Sequence, residues 1–172
     1  ATSLFAVSVS SVSICFIVIE LILRAEPWYQ PRYVIPLLGM VLGNALTGLS
    51  LCLDRLMSNL DEKRDQIEGR LAFGATIWEA CHPHLQDAVR VGIVPIVNTM
   101  TVAGIVSLPG MMTGQILAGA PPMQAVQYQI VVIFMIAAAA GLGSLLAALI
   151  AFRKLITPFH QLAHHRLKRV DE

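Results

Sequence analysis

The chain has 172 residues, 56% of them hydrophobic and only 13% charged, with a formal net charge of +1. A water-soluble domain carries about 25% charged residues, so this composition excludes an ordinary soluble domain and points to a membrane protein. The near-neutral charge gives nucleic acid nothing to bind through bulk electrostatics, and no nucleic-acid partner is expected.

A bilayer core takes about 20 apolar helical residues to cross. Four stretches meet that length in chain order: about 1–23, closed by Arg24; about 34–53, after the turn-rich RAEPWYQPRY; about 91–108, ending at Pro109; and about 124–152, closed by Arg153 and Lys154. The first begins at Ala1, inside an apolar run with no charged segment before it, so the natural beginning is expected to lie upstream. No Asp, Glu, Lys or Arg occurs from Val91 to Phe152. Strand alternation does not compete, because lipid admits only helices or closed barrels. The stretch 54–90 and the tail 153–172 each hold five Lys or Arg, the loop 24–33 holds two and 109–123 none. The positive-inside bias therefore puts 54–90 and the C-terminus in the cytoplasm and the two short loops outside. The expected fold is a single all-α integral membrane domain over 1–172 with about four transmembrane helices.

Several local patterns refine this. Gly39 and Gly43 form a GxxxG, and Ala140, Ser144 and Ala148 a row of small residues. Both predict close helix approach, within one subunit or at a dimer seam. Leu56, Leu60, Ile67 and Leu71 share a helical face interrupted by Lys63, which predicts a helix running on out of the membrane. Asn44, Thr47 and Ser50 suit interhelical hydrogen bonds. The segment SLPGMMTGQILAGAPP, from Ser107 to Pro122, is uncharged yet full of helix breakers. It is too apolar for a solvated loop and too short to cross, so a short re-entrant helix on the outer side is expected, capping or gating a pathway, or else a tight apolar hairpin with no contact to substrate. Cys15, Cys52 and Cys81 are far apart and read as small apolar residues, not a disulfide framework or zinc site.

EGRLAFGAT, Glu68 to Thr76, resembles the E-A-A-x-x-x-G-A loop of ABC-transporter permeases, with Glu68, Gly74 and Ala75 at the motif's spacing. Gly69 and Arg70 replace its two alanines, and the stretch before Pro95 is longer than in typical importers. VIPLLGMVLGNALTGLSL, AGIVSLPGMMTGQILAGAPP and AVQYQIVVIFMIAAA extend the likeness. Over about residues 33–162 the chain is similar to the FetB-type permeases, bacterial iron-export ABC permeases related to plant aluminium-tolerance proteins. Members of that family carry additional N-terminal transmembrane helices. The resemblance implies that 54–90 holds a coupling helix docking a cytoplasmic ABC ATPase subunit through Glu68, Gly74, Ala75, Trp78 and Glu79. It also implies a permease homodimer and a metal substrate.

There is no GxxxxGK[ST], no HExxH and no Ser/His/Asp constellation. The chain is therefore expected to be a transport subunit, not an enzyme. It should bind no cofactor of its own, with ATP and Mg on the partner.

Pathway or gate candidates are Glu20, Asn44, Asn98, Met111, Met112 and Gln115. Glu20 is an ionisable group near a helix end that shares an arc with Ser3, Ser10 and Ser13, or simply reaches water and pairs with Arg24. Met111 and Met112 offer soft thioethers or adaptable packing. His82 and His84 are held apart by Pro83 with no third ligand nearby. His160, His164 and His165 lie on a basic tail suited to anionic lipid. Metal ligands stay unknown. An importer of another solute and a non-transporting membrane scaffold remain the alternative functions.

Overall fold

The computed structural model of the chain describes residues 11–18, 31–103 and 109–155, with side chains in the second segment from Val34 onward. The described residues are helical apart from short connections. Residues 11–18 belong to α1; α2 is Pro31–Glu62, α3 Arg64–Ala72, α4 Ile77–Val102, α5 Gly110–Leu117 and α6 Pro122–Leu155.

Helices α2, α4 and α6 pack against one another, α5 lies on α6, and α3 sits against α2 and α4. Among the described residues two helices are long and apolar enough to cross a membrane, Val34–Glu62 and Pro122–Leu155. At 1.5 Å per residue, the 32 residues of α2 extend roughly 48 Å, well past a hydrocarbon core of about 30 Å. Helix α6 presents Ile130, Phe134, Leu142 and Leu145 outward. So broad an apolar face suits lipid; water would drive it to aggregate.

Small residues bring the three long helices together. A Cβ on Gly48 of α2 would lie 2.6 Å from the carbonyl oxygen of Gly92 in α4. A Cβ on Gly92 would meet the Gly48 oxygen at 2.8 Å and both Cys52 Cβ and Ser144 Oγ at 2.9 Å. Ala140, Ser144 and Ala148 are buried, so that row packs inside the subunit. The GxxxG does not: a Cβ on Gly39 or Gly43 would meet nothing within 4 Å. Spacing alone could not tell which small residues face a neighbour, and α2 turns its other glycine inward.

Three further expectations change. The face Leu56, Leu60, Ile67 and Leu71 does pack, with the first three buried and Leu71 half-buried against the same cluster, but the helix breaks at Lys63 and restarts as α3. Helix α4 runs unbroken through Pro83 and Pro95 and ends at Val102, six residues short of the expected Leu108. Hydroxyls of Thr99 and Thr101 bond back to the carbonyl oxygens of Pro95 and Val97, tying its last turns without a sequence signal. Pro109 is therefore the N-cap of α5, not the stop of α4. Asn44 and Thr47 donate to the carbonyl oxygens of Met40 and Gly43 in their own helix, not across an interface.

A short helix, α5, stands within the segment 107–122, eight residues long and roughly 12 Å at 1.5 Å per residue, too short to cross. Gly119, at φ 89°, ends it. Most of the expected span 1–23, the loop 24–30, residues 104–108 and the tail beyond Leu155 lie outside the described residues.

Candidate functional site

The α3–α4 junction is set by local chemistry. Gly74 has φ 90°, the left-handed region that glycine enters without steric cost. Its N–H bonds to the Leu71 carbonyl and that of Ala75 to the Arg70 carbonyl, the paired 5→2 and 6→1 bonds of a Schellman stop. One residue later Thr76 starts α4. Its hydroxyl accepts from the Glu79 N–H at 3.3 Å, while Glu79 Oε2 accepts from the Thr76 N–H at 2.8 Å and hydroxyl at 2.7 Å. This is a complete capping box. These hydrogen bonds, the side-chain one foremost, hold the Glu79 carboxyl below its usual range.

The junction is anchored below and bare at its tip. Ile67 is fully buried, with Leu71 and Ile77 packed against the same cluster. Phe73, the residue before Gly74, is 96% exposed. Trp78 stands on the first turn of α4, its ring 5.5 Å from Phe152 of α6 in an edge contact and 5.3 Å from His82. Glu68 pairs with Arg64 at 2.6 Å on the exposed side of α3, a contact worth about 0.3–0.5 kcal/mol at most. Gly74, Ala75, Trp78 and Glu79 thus lie at the junction itself, and Glu68 lies on the α3 helix that leads into it.

Behind it, α2 and α4 are tied by Asp87. Its Oδ2 accepts from Asn59 Nδ2 at 3.0 Å and from Arg55 Nε at 2.8 Å, and these donors depress its pKa, Asn59 first. Asn59 is 1% exposed, and its Oδ1 has no partner. His84 is buried on the inner side of α4. Desolvation lowers its pKa, repulsion from Lys63 and Arg70 adds to that, and Asp87 opposes it. The sequence reading missed three of these residues. Asn59 carried a signal, since it falls three residues after Leu56 on the buried stripe. Phe73 carried one too, being out of register with that stripe and beside a turn glycine. Asp87 carried none.

The pathway candidates fall on several elements. Asn44 is exposed and bonded within its own helix. Asn98 is exposed and lines a groove between α4 and α6. Met112 is buried in α5, and Met111 packs with Met100 against the core formed by α1, α2, α4 and α6. Gln115 is half-buried, with an amide oxygen that finds no partner. Glu20 lies outside the described residues. Among the described residues no group of three or more His, Cys, Asp or Glu side chains is placed to hold a metal ion.

A family model described as an uncharacterised protein family, UPF0014, matches residues 1–156. The chain is 38% identical over 149 residues to the "Probable iron export permease protein FetB" of Escherichia coli, covering 87% of this chain and 58% of that one. It is 39% identical over 131 residues to the UPF0014 membrane protein YjkA of Bacillus subtilis, covering 76% and 52%. With the protein ALUMINUM SENSITIVE 3 of Arabidopsis thaliana it shares 34% over 137 residues, covering 80% and 50%. The chain thus spans about half the length of the curated relatives it matches. No solved structure matches it.

Proposed function

The chain belongs to the UPF0014 family of membrane proteins, and from that premise we propose that it forms the membrane-spanning permease part of an ABC transporter that exports iron or a related metal. The carrying observation is the protruding Phe73–Gly74 turn, rigidly capped on both sides and set on the most charged stretch of the chain. A bare aromatic side chain held on a stiff turn is the kind of anchor that fills a pocket on a partner. The partner in this reading is a cytoplasmic ATPase subunit, which supplies ATP and Mg. ATP binding there moves α3 and the lower end of α4, and the permease works as a homodimer. The topology is four crossings with 54–90 and the C-terminus in the cytoplasm, and α5 with its turn guards the outer end. The metal, as cargo, is supported by the name of the Escherichia coli relative, a probable iron export permease.

The experiment is ATP-dependent efflux of a panel of metal ions from proteoliposomes holding the full-length permease and its ATPase subunit. Efflux of iron with stimulated ATPase activity is expected. Stimulated hydrolysis without efflux of any ion, or no stimulation at all, would favour a scaffold. Gly74→Trp adds bulk at the turn and forces a non-glycine residue to positive φ, at a cost of about 1–2 kcal/mol. Phe73→Ala removes the anchor without touching the core. Both should lose co-purifying ATPase subunit about tenfold, the effect of about 1.4 kcal/mol, while Lys168→Trp retains it. Full coupled transport by Gly74→Trp would sink the coupling assignment.

A further inference from the structure

A groove of about 840 Å³ runs along the outer face of the α4–α6 pair. On α4 its lining residues recur every fourth position, so Trp78, His82, Gln86, Arg90 and Val94 form one column. The column is polar and aromatic at the α3 end and aliphatic between Arg90 and the polar Asn98 at its far end, where Val94 and Val97 line the groove with Leu145 and Leu149 of α6.

Charge is placed at the change of character. Arg90 is the last charged residue before an uncharged run that ends at Phe152. It is exposed, and among the described residues it makes no ion pair. Asp87 also lines the groove, but its charge is paired with Arg55, and Oδ2 accepts from both Arg55 and Asn59. The groove therefore carries an unpaired positive charge where the charged stretch gives way to the uncharged run. From Arg90 to Asn98, its far end, α4 rises roughly 12 Å, close to the half-thickness of a core of about 30 Å. A helix of a second copy laid in this groove would have to bury Arg90, which is costly at membrane depth.

We propose that this groove binds one phospholipid from the leaflet on the α3 side, its anionic headgroup on Arg90 and an acyl chain between Val94, Val97, Leu145 and Leu149. Basic pockets between membrane helices suit such headgroups. The site depends on the membrane setting and not on transport, so its test reads bound lipid alone.

Full-length permease is purified in detergent and titrated with phosphatidylglycerol or phosphatidylcholine of matched chains, and bound lipid is counted by native mass spectrometry. One tightly held phosphatidylglycerol per chain is expected, with phosphatidylcholine weaker. Arg90→Gln should bind phosphatidylglycerol about fivefold more weakly, as for loss of one cation from a headgroup contact. Arg64→Gln on α3 should bind like wild type. Val94→Trp, at an exposed position that fills the groove, should weaken both lipids, and glycerol phosphate without acyl chains should displace neither. Thermal unfolding of each variant in detergent checks folding independently. Equal retention of both lipids by wild type and Arg90→Gln would overturn the proposal. So would displacement by glycerol phosphate, or efficient disulfide cross-linking of Val97→Cys between two copies in phosphatidylglycerol membranes.

Discussion

His84 is 7% exposed on the inner side of α4, with Lys63 and Arg70 near enough to repel its charged form. Burial, the larger cause, holds its pKa below the ordinary 6.5. The unfolded chain therefore takes up a proton that the fold excludes. Stability from this group is fully present above pH 6.5 and is lost as pH falls from there toward the folded value. Asp87 and Glu79 are also depressed, but from ordinary values of 3.8 and 4.5, so their losses come at lower pH. In detergent the protein should melt at a lower temperature at about pH 5.5 than at about pH 7.5, and His84→Gln should narrow that gap. An unchanged gap would clear His84 of the effect. In the sequence, His82-Pro83-His84 reads as a pair of imidazoles held apart. That His84 is buried while His82 lies tilted against Trp78 is set by tertiary packing, which no dipeptide pattern reports.

At the level of the helix, the glycines divide into two kinds. Gly92→Ala would drive a methyl group to within 2.8–2.9 Å of Gly48, Cys52 and Ser144. Overpacking of this sort costs about 1–3 kcal/mol. Gly43→Ala meets nothing within 4 Å and exchanges glycine for the best helix former, a gain of up to about 1 kcal/mol. Thermal unfolding in detergent should place Gly92→Ala below wild type and Gly43→Ala at or above it. The reverse order would mean that α2 is rotated about its axis relative to this packing. The α3–α4 junction was readable in the sequence because every part of its signal is local. Phe-Gly-Ala-Thr-x-x-Glu contains a left-handed stop and a capping box in seven consecutive residues, and both form from backbone groups at hand. The end of α4 at Val102 was missed although Gly104 follows two residues later, where a glycine commonly stops a helix, because the uncharged run continues past it to Leu108.

Over the whole molecule, the sidedness of the chain is the quantity to measure. Cys52 and Cys81 are buried, and burial raises the Cys81 thiol to about 11, so native cysteines should stay silent to a polar maleimide that needs thiolate. Gln66→Cys on exposed α3 should label only from the cytoplasmic side, and Pro122→Cys only from the other. Labelling of Gln66→Cys from outside would reverse the topology. The same background makes any signal readable without removing the native thiols.

What the sequence determined by itself was the solvent and the local grammar. An uncharged run from Val91 to Phe152 must go into lipid or a core, and in lipid the backbone must satisfy its own hydrogen bonds as helix. Caps and stops depend on neighbours within six residues, so the turn at Gly74 could be read as written, while the Thr76 cap and the Gly119 stop are equally local but went unread. Only the tertiary structure decided which glycine touches a partner helix and which lies open. It also decided that Phe73 stands bare while Ile67 is sealed, that Asp87 reaches back 28 residues to Asn59, and that Arg90 faces a groove. Each of these depends on how one helix is rotated about its axis against another. That angle is set by the summed packing of residues far apart in the chain, and no short stretch of sequence carries it.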